Sequence, residues 1–276
     1  LLEWSDPSRS LLRRLALEAP GTYTHSLMIG TLAETAADAI GANGLLVRVG
    51  ALYHDIGKIA KPAYYVENQE ARINRHDQLG PTLSHLVIVA HVKDGLEVAR
   101  SYGLPRILHQ FVAEHHGTTV VRYFQRVAAE QAKQSKTKEL PESEFRYPGP
   151  KPRSRESAVL MICDGVEGAV RALQEPTPGR IETTVHQVLM DRLNDGQFDD
   201  CDITMKGLSR VEDAVVKGLC AAYHGRIAYP KAPKEEKDAA AKGTADTSSK
   251  QPEEHDEERA DERRARLAAA TPTRAR

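Results

Sequence analysis

The sequence is poor in sulfur and in aromatic residues. Its three cysteines, Cys163, Cys201 and Cys220, are odd in number and widely spaced. They form no Cys-x-x-Cys pair, which excludes a disulfide framework and a cysteine zinc site and fits a reducing cytoplasm. Aromatic residues make up 5% of the chain and hydrophobic residues 40%. That is too little Tyr, Phe, Thr and Ile for a β-sandwich and suits an Ala/Leu/Val-rich helical core. Neither sign of charge is in excess: the formal net charge is −1, so there is no bulk field for a DNA or RNA polymer. Long apolar runs are also missing. The longest, around Leu86–Ala90 and Ala158–Cys163, are of core length and cannot span a bilayer, and no signal peptide is present. The chain opens at Leu1 rather than Met. We therefore expect a piece of a longer protein, whose remainder can hold targeting or membrane segments.

Helical periodicity fills most of what remains. Leu11, Leu12, Leu15 and Leu17 mark a short amphipathic helix that stops at Ala19-Pro20-Gly21. Thr22–Ile40 is a helix closing on Gly41, and Leu45–Ile59 the next, stopped by Gly57 and Pro62. Tyr64–Pro81 reads as loop, Thr82–Tyr102 as a long helix, and Pro105 opens a helix running to His115-His116 and ending at Gly117. Val120–Ala132, Arg155–Leu173, Pro178–Asn194 and Thr204–Tyr223 complete an all-α chain. Residues 134–152, polar and carrying four prolines, are expected to be a mobile surface loop inside the domain, because the helical pattern resumes after them. The folded domain is expected over residues 1–230. Residues 231–276 hold eleven acidic and eleven basic residues and no aromatic, so they are expected to form a charged, disordered tail.

Imidazoles and carboxylates recur inside the apolar, helix-patterned segments. The stretches are GTYTHSLMIG with His25, ALYHDIGKIAKP with His54-Asp55, IVAHVKDG with His91, AEHHGTTV with His115-His116, and VLMICDGVEGAV with Asp164. Burying such groups singly is costly, and a shared metal centre removes that cost. An Asp has two oxygens and can bridge two cations. One partition gives His25, His54, Asp55 and Asp164 to a first metal. Asp55, as bridge, then joins His91, His115 and His116 around a second. Mixed imidazole and carboxylate donors suit Fe, Mn or Zn better than Mg or Ca. Two such cations can activate water and neutralise a phosphoryl group under in-line attack. A lone histidine on a helix face is ordinarily a core or surface residue, and an Asp there often faces solvent. The coincidence of several on separate helices is what favours a metal site.

Other residues carry weaker signals. Lys58, three residues after Asp55, falls beside the site by one helical turn and is a candidate catalytic and phosphate-binding residue. A solvated helix-end lysine is the plain alternative. Thr118 and Thr119 are candidate phosphate ligands, with capping of the next helix as their ordinary role. His76-Asp77 repeats the dipeptide in a loop and reads as a turn. Arg146, Tyr147, Lys151 and Arg153 form a small patch that is solvated by default, and His85, His109, His186 and His224 read as structural or surface residues.

The order H…HD…H…HH…D, at these residues, resembles the HD-domain metal-dependent phosphohydrolases. The longer phrases EAPGTYTHSLMIGTLAE, VGALYHDIGKIAKPAYYVENQ, EHHGTTVVRYF, FRYPGPKPRSRESAVLMICDGVEGAVR and DRLNDGQFDDCDIT resemble one branch of them. This is the cytoplasmic HD domain of the seven-transmembrane, PgpH-type cyclic-di-AMP phosphodiesterases of bacteria, and the likeness runs from Pro7 to Pro230. It implies an HD-domain helical bundle with a dinuclear Fe or Mn site held by His25, His54, Asp55, His91, His115, His116 and Asp164, Zn being less favoured. It also implies hydrolysis of cyclic di-AMP to pApA, and a cytoplasmic domain of a cell-membrane protein. The competing readings are a cyclic-di-GMP phosphodiesterase of the HD-GYP class, a nucleotide phosphohydrolase of the same superfamily, and a non-enzymatic cyclic-dinucleotide sensor. The first needs a Gly-Tyr-Pro element after its His-His pair, where this chain has GTTVVRYF. The second commonly uses one metal, and a complete ligand set disfavours the third.

Overall fold

The computed structural model describes residues 1–69 and 74–224. The expected tail at 231–276 lies outside the described residues, as does part of the 64–81 segment. Among the described residues there is no strand, and one antiparallel bridge joins Val120 to Arg146. The α-helices are α1 (Ser10–Glu18), α2 (Pro20–Ala39), α3 (Gly44–Tyr53), α4 (Pro81–Ser101), α5 (Arg106–Glu114), α6 (Arg122–Ser135), α7 (Arg155–Arg171), α8 (Pro178–Asn194) and α9 (Met205–His224). No helix among them is long and apolar enough to cross a membrane.

Two helices organise the bundle. α2 packs against α1, α3, α7 and α9, and α7 against α2, α3, α5 and α8. α7 is buried all round in its first turns, from Ser157 to Cys163, as expected of a helix without a solvent face. Asp164 follows this run, so the core carries a carboxylate inward. Elsewhere the faces are sorted by spacing. In α5, Leu108, Phe111 and Val112 lie one turn apart and are buried. In α1, Leu12 and Leu15 are buried while Leu17 is 80% exposed. Each fully buried Leu or Phe contributes roughly 1.5–3 kcal/mol relative to exposure.

Helix ends follow local chemistry. The Asn43 side chain accepts from the Leu46 amide at the start of α3, and Ser154 accepts from the Ser157 amide at the start of α7, satisfying amides that a helix leaves unpaired. Pro20, Pro81 and Pro178 each open a helix, where the missing N–H costs nothing. Pro20 therefore does more than stop α1. Ala19 alone leaves the helical conformation, and α2 begins at once, two residues before the expected Thr22.

Three expectations are corrected. The helix expected over Leu45–Ile59 ends at Tyr53, and a 3₁₀ segment, Ile56–Ala60, follows the His54-Asp55 turn. The 64–81 loop contains 3₁₀ turns at Val66–Asn68 and Arg75–Gln78. Residues 134–144 are exposed as expected, but the segment then turns inward, with Phe145 and Tyr147 buried. Phe145 packs beside His85, and the Tyr147 amide donates to the Thr119 carbonyl at 2.9 Å. Two large aromatic side chains among polar residues decide this, because their burial outweighs the polarity of their neighbours.

Candidate metal centre

Five segments bring the seven candidate ligands together. His25 comes from α2, and His54-Asp55 from the turn after α3. His91 comes from α4, His115-His116 from the end of α5, and Asp164 from α7. Asp55 is 1% exposed and stands at the middle. Its Oδ2 lies 3.1 Å from His54 Nε2 and 3.9 Å from His25 Nε2. Its Oδ1 lies 3.4 Å from His91 Nε2 and 3.5 Å from His115 Nε2. The two carboxylate oxygens thus face different imidazole sets. Asp164 Oδ1 is 3.0 Å from His25 Nε2, and its Oδ2 is 3.7 Å from His116 Nδ1. Two groups have mutually close donor atoms: His25, His54, Asp55 and Asp164, and Asp55, His91, His115 and His116.

The tautomers follow from the outer partners. His54 Nδ1 meets the Ala51 carbonyl at 2.7 Å, His91 Nδ1 the Ile88 carbonyl at 2.6 Å, and His115 Nδ1 the Phe111 carbonyl at 3.0 Å. A carbonyl only accepts, so each Nδ1 carries the hydrogen and, in the neutral ring, Nε2 presents a lone pair inward. His91 Nε2 and His115 Nε2 are 3.2 Å apart. Two facing lone pairs at that distance repel unless a cation lies between the rings. His54 Nε2 and Asp55 Oδ1 are buried without a hydrogen-bond partner, a costly arrangement that metal coordination relieves. The donor set therefore fits divalent metal binding, with Asp55 shared.

The electrostatics agree. Burial opposes ionisation of Asp55, but His54 and Lys58 overcome it and hold its pKa well below the usual range. Burial likewise opposes ionisation of Asp164, and His25 and His54 overcome it. Burial disfavours charge on His54 too, but Asp55 and Asp164 raise its pKa to about 10, so a cation entering there displaces a proton. Burial lowers His91 to about 3 and takes His116 well below its usual value, helped by His115. Both are neutral, as metal ligands must be.

Lys58 is where its spacing places it. Its Nζ lies 2.8 Å from Asp55 Oδ2 and 2.7 Å from Glu67 Oε1. Thr118 and Thr119 do not reach the cavity beside the centre. The Thr118 hydroxyl accepts from Gln197 Nε2 at 2.9 Å, and Thr119 donates to the His116 carbonyl at 2.8 Å. Neither caps α6, whose N-cap is Val121. They brace the turn at Gly117, whose φ of +52° only glycine adopts cheaply. The basic patch is not free: Arg146 pairs with Asp195, Lys151 with Asp199 and Arg153 with Glu114.

Residues not singled out from the sequence complete the site. Glu167 accepts from His25 Nδ1 at 2.8 Å and orients that ring. It lies one helical turn after Asp164 on α7, and that spacing is the signal that could have found it. We expect Glu167→Ala to weaken metal binding by about 10–100-fold while leaving the fold intact. Metal titration with circular dichroism checks this, and unchanged affinity would remove Glu167 from the centre. A cavity of about 580 Å³ opens beside Lys58, His91 and His116, walled by Tyr64, Tyr65, His76, Tyr123, Phe124 and Tyr147. His76, read as a turn residue, is buried between Tyr64 and Phe124.

Comparison with known proteins agrees with this geometry. Residues 22–169 match the family model of the HD domain. The chain belongs to the HD-domain family. The HD segment resembles, at 47% identity over 241 residues, the cyclic-di-AMP phosphodiesterase PgpH of Bacillus subtilis, covering 86% of this chain and 33% of that protein. It is 44% identical over 230 residues to PgpH of Listeria monocytogenes, covering 83% of this chain and 31% of that protein. The chain thus spans about a third of the length of these relatives. The crystal structure of the L. monocytogenes PgpH HD domain in complex with cyclic di-AMP superposes with a TM-score of 0.73 at 43% identity. It covers 79% of this chain and 99% of that one.

Proposed function

We propose that this HD domain is a dinuclear metal-dependent phosphodiesterase that opens cyclic di-AMP to linear pApA. The observation that carries the reading is Asp55, whose two oxygens divide between two imidazole sets beside an aromatic-walled cavity. Its relatives of 44–47% identity are cyclic-di-AMP phosphodiesterases. His25, His54, Asp55 and Asp164 would hold one cation and Asp55, His91, His115 and His116 the other; the mixed donor set suits Fe, Mn or Zn, and the family resemblance favours Fe or Mn among them. When bound, the pair supplies an activated water and neutralises charge on the phosphoryl group.

The chain's own residues do the rest. Lys58 has three N–H donors and spends two on Asp55 and Glu67. The third, on an ammonium that lies 5.1 Å from the Tyr65 ring centroid, is assigned to a phosphoryl oxygen, which makes Lys58 a catalytic and substrate-binding residue alongside Asp55. The aromatic wall suits purine stacking, worth roughly 1–3 kcal/mol per base. Thr118 and Thr119, engaged elsewhere, are left out of the substrate contacts. The catalytic unit is residues 1–230. We place it on the cytoplasmic side of a longer membrane protein, as the seven-transmembrane resemblance implies.

One cut destroys the ring, and the linear product must be repositioned before its remaining diester can react. We therefore expect pApA to accumulate with slow or absent conversion to AMP. Incubation of Mn- or Fe-loaded protein with cyclic di-AMP and chromatography of the products tests this. Direct appearance of AMP without pApA would contradict it.

A further inference from the structure

Tyr147 stands so far only as part of the cavity's aromatic wall. Its ring stacks on His116, with centroids 4.2 Å apart and planes 26° apart, and meets His91 edge-on at 6.1 Å. The residue is 9% exposed and lines the cavity with Lys58, Tyr65, His91 and His116. The backbone around it is tied down on both sides. The Tyr147 amide donates to Thr119, Arg146 is paired with Asp195 at 2.8 Å, and Arg153 Nε donates to the buried Glu114 carboxylate at 2.9 Å. A side chain held this way keeps one position, as a catalytic group needs.

Its hydroxyl makes no hydrogen bond among the described residues. The hydroxyls of two other buried tyrosines are satisfied: Tyr65 donates to the Val87 carbonyl at 3.3 Å, and Tyr53 to the Trp4 carbonyl at 2.8 Å. The oxygen is not among the buried unpartnered atoms, so it opens to the cavity that Tyr147 lines, where an oxygen of a bound ligand can reach it. Stacked on His116 and edge-on to His91, Tyr147 shares the cavity lining with Lys58, which places it where the cavity meets the candidate metal centre. A phenol keeps its proton at neutral pH and is an O–H donor.

We propose that Tyr147 is a catalytic residue whose hydroxyl donates a hydrogen bond to a non-bridging oxygen of the phosphodiester under attack. The proposal rests on the phosphodiesterase reading above. The proton stays on Tyr147, and the hydrogen bond strengthens as negative charge builds on the phosphoryl oxygen. The leaving oxygen is the poorer recipient, since in an in-line displacement it points away from the ligand set, whereas Tyr147 is stacked on one of the ligands.

The test is Tyr147→Phe, which keeps the ring on His116 and removes only the hydroxyl. Metal-loaded wild type and variant are compared on cyclic di-AMP and on bis(p-nitrophenyl) phosphate, whose leaving group needs no assistance. We expect equal metal content, KM changed by less than about threefold, and kcat lowered by about 100-fold on both substrates. Unchanged kcat would overturn the proposal. So would a loss confined to cyclic di-AMP, which would move the contact to the leaving oxygen, or a loss of bound metal, which would make Tyr147 a support for His116. A wild type that cleaves only the chromogenic ester would refute the cyclic-dinucleotide reading, and the Tyr147 comparison would still be decided on that ester. A wild type inert toward both would overturn the two together.

Discussion

Asp55→Ala should bind less than one metal per chain and lose turnover by more than about 10³-fold. Removing a single electrostatic donor from an active site typically costs about 10²–10³ in kcat, and Asp55 does more than one donor. Its Oδ2 serves the His25 and His54 set, and its Oδ1 the His91 and His115 set. Without it, neither set keeps a shared anion to offset two adjacent cations. The side chain also balances Lys58 at 2.8 Å, and deleting one partner of a buried pair destabilises by roughly 3–5 kcal/mol. Asp55→Asn, which keeps the volume, separates these effects: it should retain more of the thermal stability while losing metal and turnover. Elemental analysis with a steady-state assay decides. Near-normal turnover with two metals bound would remove the dinuclear assignment.

Gly57→Ala should be a strongly damaging single-methyl change beside the centre. A Cβ at Gly57 would overlap the His91 carbonyl oxygen and the Gly95 amide nitrogen on α4. Both are backbone atoms, so neither can swing aside. The Ile56–Ala60 segment must lift off α4, which separates Asp55 from His91. At Gly95 an added Cβ meets the Val112 side chain first, which can shift. We expect Gly57→Ala to cost roughly 3 kcal/mol, at the upper end of overpacking effects. That is a fall in Tm of roughly 6–12 °C for a domain of this size, with weakened binding of the second metal. Gly95→Ala should cost about 1 kcal/mol. Thermal melts and metal counts of the two variants test the comparison, and equal melting of Gly57→Ala and wild type would contradict it.

The candidate ligands were legible because each is a polar group in an apolar, helix-patterned segment, and a period of 3.6 residues shows which face it occupies. Asp164 after the buried run Ala158–Cys163 is the clearest case, and Pro178–Asn194 was bounded by its own proline and its own polar end. The His54-Asp55 turn was harder. Hydrophobic residues continue through Ile56 and Ile59, both buried, so the pattern conceals the change from α-helix to 3₁₀. Glu67 and His76 lie in short 3₁₀ turns and Tyr147 in an irregular segment, none long enough to show a periodicity. Their places depend on tertiary partners such as Lys58, Phe124 and His116, which nothing local in the sequence announces. Thr118 has a partner just as remote. Gln197, almost eighty residues away in sequence, holds the Thr118 amide and hydroxyl, while the Thr119 hydroxyl is held locally by the His116 carbonyl.

The measurement that bears most directly on the central claim is kcat/KM for cyclic di-AMP and cyclic di-GMP on one Mn- or Fe-loaded sample. We predict turnover of both at most, with cyclic di-AMP clearly preferred, because purine-edge hydrogen bonds left unpaired by the wrong base can discriminate strongly. Equal or reversed preference would contradict the cyclic-di-AMP assignment, and absence of turnover with two metals bound would contradict the enzyme itself.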